Sequence, residues 1–421
     1  RLVSDWSSDV CSSDLPFFAG TYFPKSSKYG RPGFTDILGR IRELWKTERQ
    51  ELLAQADDLV GAIQAEAASD PPRAIDGQAE QMAAEILVKG FDAEWGGFGG
   101  APKFPAPGSI SLLLRQYDRR KDPRYLEAAT TTLDRMARGG MYDHIGGGFA
   151  RYSTDAKWHV PHFEKMLYDN AQLARVYAEA WQLTGDDRWR GVAIDTLDYV
   201  LREMTGPHGA YFSATDADSE GVEGKFFVWS KDEIEALLPA DEAEAVVATF
   251  DVRPSGNWEG HNVLWIPIDL DDVAKEIGVP RGELDGRLAR AKKTLYEARK
   301  KRVPPLLDDK VLVSWNALMI GAMAFAGRAF REARYLESAR AAAKMIRDTM
   351  LKDGRLLRTF REGKAHVEAF LEDYAFLSDA LVDLYEACGD PAHLAEALRL
   401  AEHAVAAFKA DDGASFATTA S

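Results

Sequence analysis

The sequence predicts a mainly α-helical protein, built from αα-hairpins that lie side by side in an incomplete (α/α)6 toroid. Three observations predict this fold. Helical hydrophobic periodicity recurs along most of the chain, four helix starts share one signature, and a glycine-aromatic loop follows each of those helices. The 421 residues are 46% hydrophobic and 28% charged, which is typical of a globular protein of two or three domains.

Composition also excludes several classes of function. The formal net charge of −15 opposes binding to the phosphates of nucleic acids. No run approaches the roughly 18 to 20 apolar residues of a membrane span, and no basic and then apolar leader begins the chain. With only Cys11 and Cys388, the chain has neither a disulfide framework nor a cysteine zinc site. We therefore expect a cytoplasmic protein without cofactor, metal, nucleic-acid or membrane partner, and the sequence sets no oligomeric state.

The first 15 residues do not fit this fold. They have no helical or strand periodicity, and Asp5 to Leu15 reads DWSSDVCSSDL, which resembles one reading frame of a short-read sequencing adapter. We interpret residues 1–15 as an adapter artefact and leave them out of the fold.

The next segment predicts one strand and one helix. The aromatic run at 16–23, PFFAGTYF, is typical of a strand, and a helix is expected from an N-cap at Thr35 to about Ile63. One strand and one helix do not make a domain by themselves. The proline-rich stretch 69–73 then acts as a linker.

Residues 76–421 carry the internal repeat. Each signature helix has an acidic residue at its start and follows another helix across a very short turn, which predicts αα-hairpins. The signatures begin at Asp122, Asp187, Glu332 and Asp390. Nine helices are expected to start near residues 77, 109, 123, 164, 187, 313, 333, 369 and 391. The long interval in the repeat indicates an insertion at 206–312.

The glycine-aromatic loops predict where a site lies. They occupy residues 146–155, 209–218, 353–362 and 412–421. When hairpins pack side by side, these loops all fall at one rim, opposite the short turns. A toroid also buries its inner helices on most sides, as the apolar helix at 313–328 requires. In a toroid, the nine expected helices are nine of the twelve that a complete ring contains. An open solenoid is the alternative arrangement.

The segment 141–171 contains the densest group of chemically useful side chains. Imidazoles lie there beside carboxylates, a combination that suits proton transfer near neutral pH. The catalytic candidates are Asp143, His144, Asp155, His162 and Glu164. His162, Lys165 and Asp169 are expected at positions i, i+3 and i+7 of one helix, so that they face the cavity together. The alternative is that these residues brace a buried polar network.

Aromatic and acidic side chains in the same loops are candidates for substrate binding. They are Trp95, Tyr152, Trp158, Lys165, Asp169, Asp216 and Asp218. Asp216 and Asp218 resemble the start of a calcium loop, but position 12 is Phe227 instead of Glu, so no metal site is predicted. That hairpin is either a solvated acidic turn or a lid over the substrate. The sequence contains no nucleophile elbow, phosphate loop or dinucleotide fingerprint.

Several long strings resemble one family. FDAEWGGFGGAPKFP, GGMYDHIGGGFARYSTDAKWHVPHFEKMLYDNAQL and FSATDADSEGVEGKFFVW are similar to sequences of the thioredoxin-domain-containing proteins related to spermatogenesis-associated protein 20. The resemblance implies a thioredoxin-like domain followed by a six-hairpin toroid similar to N-acylglucosamine 2-epimerases and glycosidases. It implies that residues 16–68 are the C-terminal strand and helix of that thioredoxin-like domain. It also implies that a CxxC-type redox site would lie upstream of Pro16.

Two functions remain open at this point. The first is a carbohydrate-active enzyme, epimerase-like or hydrolase-like, with a small sugar-like substrate. It predicts a deep pocket lined by Asp143, His144, Trp158 and His162. The second is a non-catalytic toroid that binds a ligand or client beside a thioredoxin-like redox or chaperone domain. It predicts a rim whose polar groups are all partnered.

Overall fold

A computed structural model describes residues 16–19, 23–28, 32–67, 78–410 and 415–419. The chain divides into two compact units, Arg1–Ile75 and Asp76–Ser421. The adapter-like segment and the proline-rich linker lie outside the described residues.

The first unit contains two helices, α1 (Phe34–Thr47) and α2 (Arg49–Ala67). The prediction of one continuous helix with Thr35 as its N-cap is wrong, because Gly33 caps α1 and the backbone leaves the helical region at Glu48. The described part of the predicted strand, 16–19 and Phe23, is not in a strand. A strand needs a hydrogen-bonded neighbour, and none pairs with these residues within the described part of the chain. Residues 20–22 lie outside it.

The second unit is mainly helical, as predicted. Its helices are α3 (Gln78–Lys89), α4 (Pro107–Arg120), α5 (Pro123–Arg138), α6 (Leu167–Thr184), α7 (Asp187–Tyr199), α8 (Lys231–Leu237), α9 (Ala240–Thr249), α10 (Leu270–Glu276), α11 (Arg281–Arg299), α12 (Val313–Phe330), α13 (Ala333–Met350), α14 (Leu371–Cys388) and α15 (Pro391–Phe408). A π-helical turn, Val200–Met204, extends α7. All nine expected helix starts fall within three residues of an observed one.

Short strands occupy the long connections. They are β1 (Tyr152–Ser153), β2 (Pro161–His162), β3 (Lys165–Met166), β4 (Ala214–Thr215), β5 (Asp218–Ser219), β6 (Val222–Glu223), β7 (Leu307–Asp308), β8 (Val311–Leu312), β9 (Leu351–Lys352), β10 (Arg355–Arg361) and β11 (Lys364–Glu368). All pairs are antiparallel: β1 with β2, β5 with β6, β4 between β3 and β7, and β10 between β8 and β11, with β9 also paired to β10.

Four αα-hairpins form the body of this unit: α4/α5, α6/α7, α12/α13 and α14/α15. The first helix of each is an inner helix, and the inner helices pack in the order α4, α6, α12, α14. All four line one cavity, so the row curves into an arc of a toroid instead of a straight solenoid. The core of the arc includes α12, which is buried along almost its whole length.

The repeated signature has a capping role. In three of the outer helices the acidic residue at the N-cap accepts a hydrogen bond from the backbone N–H two positions on. Asp122, Asp186 and Asp390 each do so at 3.0 Å. A capping carboxylate satisfies a backbone donor that the helix itself leaves free. The aspartate therefore marks the start of α5, α7 and α15 after a two-residue turn, whereas Glu332 before α13 makes no side-chain cap bond.

The insertion forms a subdomain of its own. Helices α8 to α11 enclose a separate hydrophobic core that includes Ile234, Phe250, Leu284 and Leu295. Among the described residues, no helix is long and apolar enough to cross a membrane.

Candidate active site

Strand pairing gathers the long connections at the end of the arc where the inner helices begin. β3 immediately precedes α6 and pairs with β4, which follows α7. β8 immediately precedes α12 and pairs with β10, which follows α13. The glycine-aromatic loops at 146–155, 209–218 and 353–362 therefore share one rim; the loop at 412–421 lies partly outside the described residues.

A turn closed by an isolated antiparallel bridge, here called a bridged turn, follows each of the helices α3, α5 and α15. Isolated antiparallel bridges join Phe91 to Phe98 after α3, Tyr142 to Phe149 after α5, and Lys409 to Phe416 after α15. Sequence reasoning missed the turn after α3. The signal was present in the common Gly-Gly-Phe that ends both 91–98 and 142–149.

An aspartate and a lysine close this turn after α5. Asp143 Oδ1 accepts hydrogen bonds from the backbone N–H groups of Ile145 (3.0 Å) and Gly146 (2.9 Å). Lys165 Nζ donates to Asp143 Oδ2 and to the carbonyl of Gly147, both at 2.8 Å. The pair thus ties the turn to the start of the next inner helix.

The turn after α3 is closed in the same way. Asp92 Oδ1 accepts from the N–H groups of Glu94 (3.1 Å) and Trp95 (3.0 Å). Lys103 Nζ donates to Asp92 Oδ2 (2.6 Å) and to the carbonyl of Gly96 (2.8 Å). Since Asp143 and Lys165 reproduce this arrangement, they are a repeated structural lock.

The insertion adds a third member to the second lock. Arg299, the last residue of α11, donates from Nη1 and Nη2 to the two oxygens of Asp143, each at 2.8 Å. Asp143, Lys165 and Arg299 are all nearly inaccessible to solvent. Burial alone would raise the pKa of Asp143, but the Arg299 and Lys165 cations lower it well below its ordinary value. Both carboxylate oxygens of Asp143 accept hydrogen bonds from these partners, and its catalytic role stays a prediction.

His144 is also held within the core. Its Nε2 lies 3.0 Å from the carbonyl of Gly139, and its ring packs against Tyr142 and Phe250. Burial, together with the nearby Lys292 cation, lowers the pKa of His144 to about 3. The imidazole is therefore neutral at pH 7.

The predicted tryptophans brace the same rim. Trp158 is fully buried, and its Nε1 donates to the carbonyl of Trp95 at 2.8 Å. The ring of Trp95 lies about 5 Å from the cations of Arg135 (5.2 Å) and Lys157 (5.1 Å).

The prediction of a deep pocket lined by Asp143, His144, Trp158 and His162 is wrong. A cavity of about 30 Å³ touches only Asp143 and His144 of these four. It has room for little more than one or two water molecules. The physical reason is that the lock and the aromatic packing fill the space where a ligand would lie.

The remaining acidic candidates shape turns. Asp155 accepts from the backbone N–H groups of Lys157 (2.6 Å), His159 (3.3 Å) and Val160 (2.6 Å). Asp216 is exposed and accepts from Ala217 and Asp218, and the side chain of Asp218 lies in solvent on β5. Across the described ranges, no group of three or more His, Cys, Asp or Glu residues is placed to hold a metal.

His162, Lys165 and Asp169 do not share a helical face, so that prediction is wrong. His162 lies on β2 and Lys165 on β3, while α6 begins only at Leu167. The reason is tertiary: His162 pairs with Tyr152 and Lys165 pairs with Thr215, which keeps the backbone extended up to the helix.

His162 and Glu164 nevertheless meet at the start of α6. The carboxylate of Glu164 accepts from Arg151 Nη1 at 3.1 Å, and His162 Nε2 lies 3.9 Å from the same Oε2 atom. On its other side, His162 Nδ1 lies 2.8 Å from Glu223 of the β5–β6 hairpin. We call this group of four residues the mouth cluster: Arg151, His162, Glu164 and Asp169.

Asp169 differs from every other candidate. It lies in the first turn of α6 with 7% of its surface exposed, and its Oδ2 atom has no hydrogen-bond partner among the described residues. Burial raises the pKa of Asp169 to about 7; the Arg151 cation opposes this shift and the Glu164 carboxylate adds to it. At neutral pH a large fraction of this carboxyl therefore keeps its proton.

A cavity of about 350 Å³ lies between the four inner helices. Its volume is within the range of about 300 to 1,000 Å³ that small-molecule sites occupy. Asp169 lies one turn before Gln172 on α6, so the two share a helical face, and Gln172 lines this cavity. The polar lining comes from Ser111, Arg115, Gln172, Arg175, Glu179, Asp379 and Asp383.

An ion-pair network crosses the cavity wall. Arg175 on α6 forms a bidentate pair with Asp383 on α14, and Glu179 accepts from Ser111 on α4 at 2.7 Å. Gly321 on α12 makes this possible, because a Cβ atom there would lie 2.9 Å from Asp383 Oδ2. Sequence reasoning missed this network. Its signal was the spacing of charges four residues apart, Arg175 with Glu179 and Asp379 with Asp383, within otherwise apolar inner helices.

The fold and this site define a class: an arc of an α/α toroid with a polar central cavity and a carboxyl-bearing mouth. The first unit overlaps a family match, because residues 6–64 match the family described as "Protein of unknown function, DUF255". The match starts inside the segment that we interpret as an artefact, and that interpretation stays a prediction.

The chain is similar to spermatogenesis-associated protein 20, which confirms the resemblance stated from the sequence. It is 38% identical to the human protein and 36% identical to the mouse protein, over 91% of this chain and 54% of each relative. It is also 34% identical to an uncharacterised protein of Caenorhabditis elegans, over 91% of this chain and 58% of that protein. The chain thus spans about half the length of these relatives.

Solved structures with some likeness include two carbohydrate enzymes. A sugar epimerase from a ruminal bacterium aligns over 80% of this chain and 87% of its own, with 14% identity and a TM-score of 0.37. An α-1,6-mannanase from Salegentibacter sp. HEL1_6 aligns over 88% of this chain and 75% of its own, with 12% identity and a TM-score of 0.42.

Proposed function

We propose that the toroid binds a sugar-like molecule in its central cavity and transforms it by proton transfer, with Asp169 as the proton donor. One observation carries the proposal: a buried carboxyl with a pKa near 7 and an oxygen that has no partner among the described residues lies one helical turn from Gln172, which lines a polar cavity of ligand size. Strongly perturbed carboxyls beside a cavity are typical of catalytic acids and bases.

The lining suits a neutral ligand with many hydroxyl groups. Carboxylates, guanidinium groups and the amide of Gln172 offer both donors and acceptors at fixed positions on α4, α6 and α14. Their charges are mostly compensated within the wall, as in the pairs of Arg175 with Asp383 and Glu179. A neutral molecule with many hydroxyl groups can form hydrogen bonds with these side chains, and it adds no net charge to a wall whose charges are already mostly paired.

Two carboxyl groups in the mouth cluster have different surroundings. Asp169 is buried and has an oxygen without a partner, whereas Glu164 is half-buried and ion-paired to Arg151. Carboxyl groups in such unlike environments can divide the roles of acid and base. Asp169 would protonate a leaving or carbonyl oxygen of the sugar, and Glu164 would accept a proton. Hydrolysis and epimerisation both require this division of roles.

The test is turnover by the full chain of a panel of aldoses, N-acyl amino sugars and oligosaccharides, followed by product analysis. Asp169→Asn and Glu164→Gln should each lower kcat/KM by about 100-fold or more. The activity of the unmodified chain should fall as the pH rises through about 7, because Asp169 then loses its proton. Asp134→Asn on the outer face of α5 is the matched control and should leave activity unchanged.

Absence of turnover across the panel, or turnover that neither mouth variant lowers, would overturn the enzymatic proposal. The second candidate, a non-catalytic binding toroid, is favoured by the ion pairs that already satisfy one another across the cavity wall. It predicts that a panel member binds to the chain and is recovered unchanged.

A further inference from the structure

Three aromatic rings stack at the rim. Phe104 lies over Tyr152 with centroids 4.8 Å apart and planes at 29°, and Tyr152 lies over His162 at 5.2 Å and 26°. The rings come from three segments of the chain: the connection before α4, strand β1 and strand β2. We call this group the ring stack.

The backbone around the ring stack is fixed. Tyr152 and His162 are directly opposite each other in the β1–β2 pair. Lys103 and Ser153 exchange two backbone hydrogen bonds, of 2.8 and 2.9 Å, immediately beside Phe104 and Tyr152. Lys103 itself is fully buried in its lock with Asp92. The rings are therefore held in place before any ligand arrives.

About half of the surface of Phe104 is exposed to solvent. Its exposed fraction is 52%, although the ring is large and apolar and its neighbour in the chain is fully buried. A single exposed apolar side chain is ordinary on a protein surface. This one differs because it ends a rigid stack whose other end is part of the mouth cluster.

The ring stack adjoins both parts of the proposed site. Its His162 lies 3.9 Å from the carboxylate of Glu164. Phe104 lies three residues before Pro107, the first residue of α4, which lines the central cavity. Around the stack, His162 and Glu223 supply polar atoms beside the flat apolar rings.

We infer that the ring stack is a second sugar subsite, and that the ligand is an oligosaccharide or glycoside of at least two units instead of a free monosaccharide. This inference rests on the proposed function. One unit lies in the central cavity, and the apolar C–H face of the next unit stacks on Phe104.

The test compares the affinity of monosaccharides with that of their oligomers, measured calorimetrically on the full chain carrying Asp169→Asn to slow turnover. The probes are glucose, mannose and N-acetylglucosamine, each against its β-1,4- or α-1,6-linked di- and trisaccharides. At least one oligomer should bind about fivefold tighter than its monomer, since an aromatic contact contributes about 1 kcal/mol.

Phe104→Ala should remove that difference and leave monosaccharide affinity unchanged, while Phe104→Trp should keep it. Phe416→Ala, which removes another half-exposed phenylalanine from a bridged turn, is the matched control and should change neither affinity. Equal affinity for monomers and oligomers, or an equal loss of both in Phe104→Ala, would overturn the second subsite while the central site stands. Failure of every sugar to bind would instead overturn the proposed function itself.

Discussion

Asp143 and Asp169 are both buried carboxyl groups near the start of α6, yet their surroundings are opposite. Asp143 is held by two cations and two backbone N–H groups, and its pKa is far below the ordinary value. Asp169 has an oxygen without a partner, and its pKa is raised to about 7. Burial alone does not identify a functional carboxyl. Asp143 and Asp169 differ because both oxygens of Asp143 accept hydrogen bonds, whereas one oxygen of Asp169 has no partner among the described residues.

The repeat strengthens this contrast. Asp143 and Lys165 have a counterpart in Asp92 and Lys103, which close the preceding turn with the same set of bonds. The position that corresponds to Asp169 is Ser109 in α4 and Trp315 in α12, but it is again an aspartate, Asp373, in α14. Asp373 is fully buried and ion-paired to Arg358, and it accepts from the backbone N–H groups of Ser314 and Phe370. Asp169 therefore differs from its counterpart by its unpartnered oxygen and not by its residue type.

The largest effect is expected from Asp143→Asn. The change leaves the buried cations of Lys165 and Arg299 without their carboxylate, and breaking a buried ion pair in this way costs about 3 to 5 kcal/mol. Denaturant unfolding measures the loss. Asp118→Asn removes a carboxylate from an exposed pair with Lys121 and should cost less than about 1 kcal/mol. Equal losses in the two variants would contradict the structural role of Asp143.

A smaller, pH-dependent effect is expected from Asp169→Asn. The folded chain keeps a proton on Asp169 up to about pH 7, while the unfolded chain releases it near the ordinary value of 3.8. The stability that this group contributes is therefore present at low pH and is lost as the pH rises through 7. Between pH 5 and pH 8 the loss amounts to about 3 kcal/mol, and the asparagine variant should lack it. The free energy of unfolding at both pH values tests this, and parallel pH profiles of the two proteins would contradict it.

The smallest effects are expected from the neighbours of Asp169. Arg151→Met removes a cation that lowers the pKa of Asp169, so its titration midpoint should move up. Glu164→Gln removes a carboxylate that raises this pKa, so the midpoint should move down. Carbon-13 NMR of the Asp169 carboxyl measures both midpoints. Shifts in the same direction would show that these side chains do not act on Asp169 through their charges.

Helix positions could be predicted from the sequence because each hairpin carries its own local signals. The Asp N-caps of α5, α7 and α15 and the apolar spacing of α12 are readable within a dozen residues. Strand β3 could not be predicted in the same way. Its extended form depends on pairing with β4, almost 50 residues further along the chain.

The candidate site was predicted in part for a similar reason. The approach of His162 to Glu164 follows from their closeness in the sequence, whereas the predicted helical face of His162, Lys165 and Asp169 is wrong. Asp143 and His144 are equal candidates in the sequence because their residue types suit catalysis. Only the contact with Arg299, 156 residues away, and the packing against Phe250 reveal that they are fully engaged. The cavity network of Arg175 and Asp383 depends on an equally distant contact.

Comparison of the two locks, Asp92 with Lys103 and Asp143 with Lys165, shows how the insertion is joined to the arc. Asp92 closes its turn with Lys103, and no arginine of the described residues joins that pair, so Lys165 is sufficient to close the turn at Asp143. Arg299 therefore joins the subdomain of α8 to α11 to a turn that is complete without it, alongside other contacts such as the packing of Phe250 against His144.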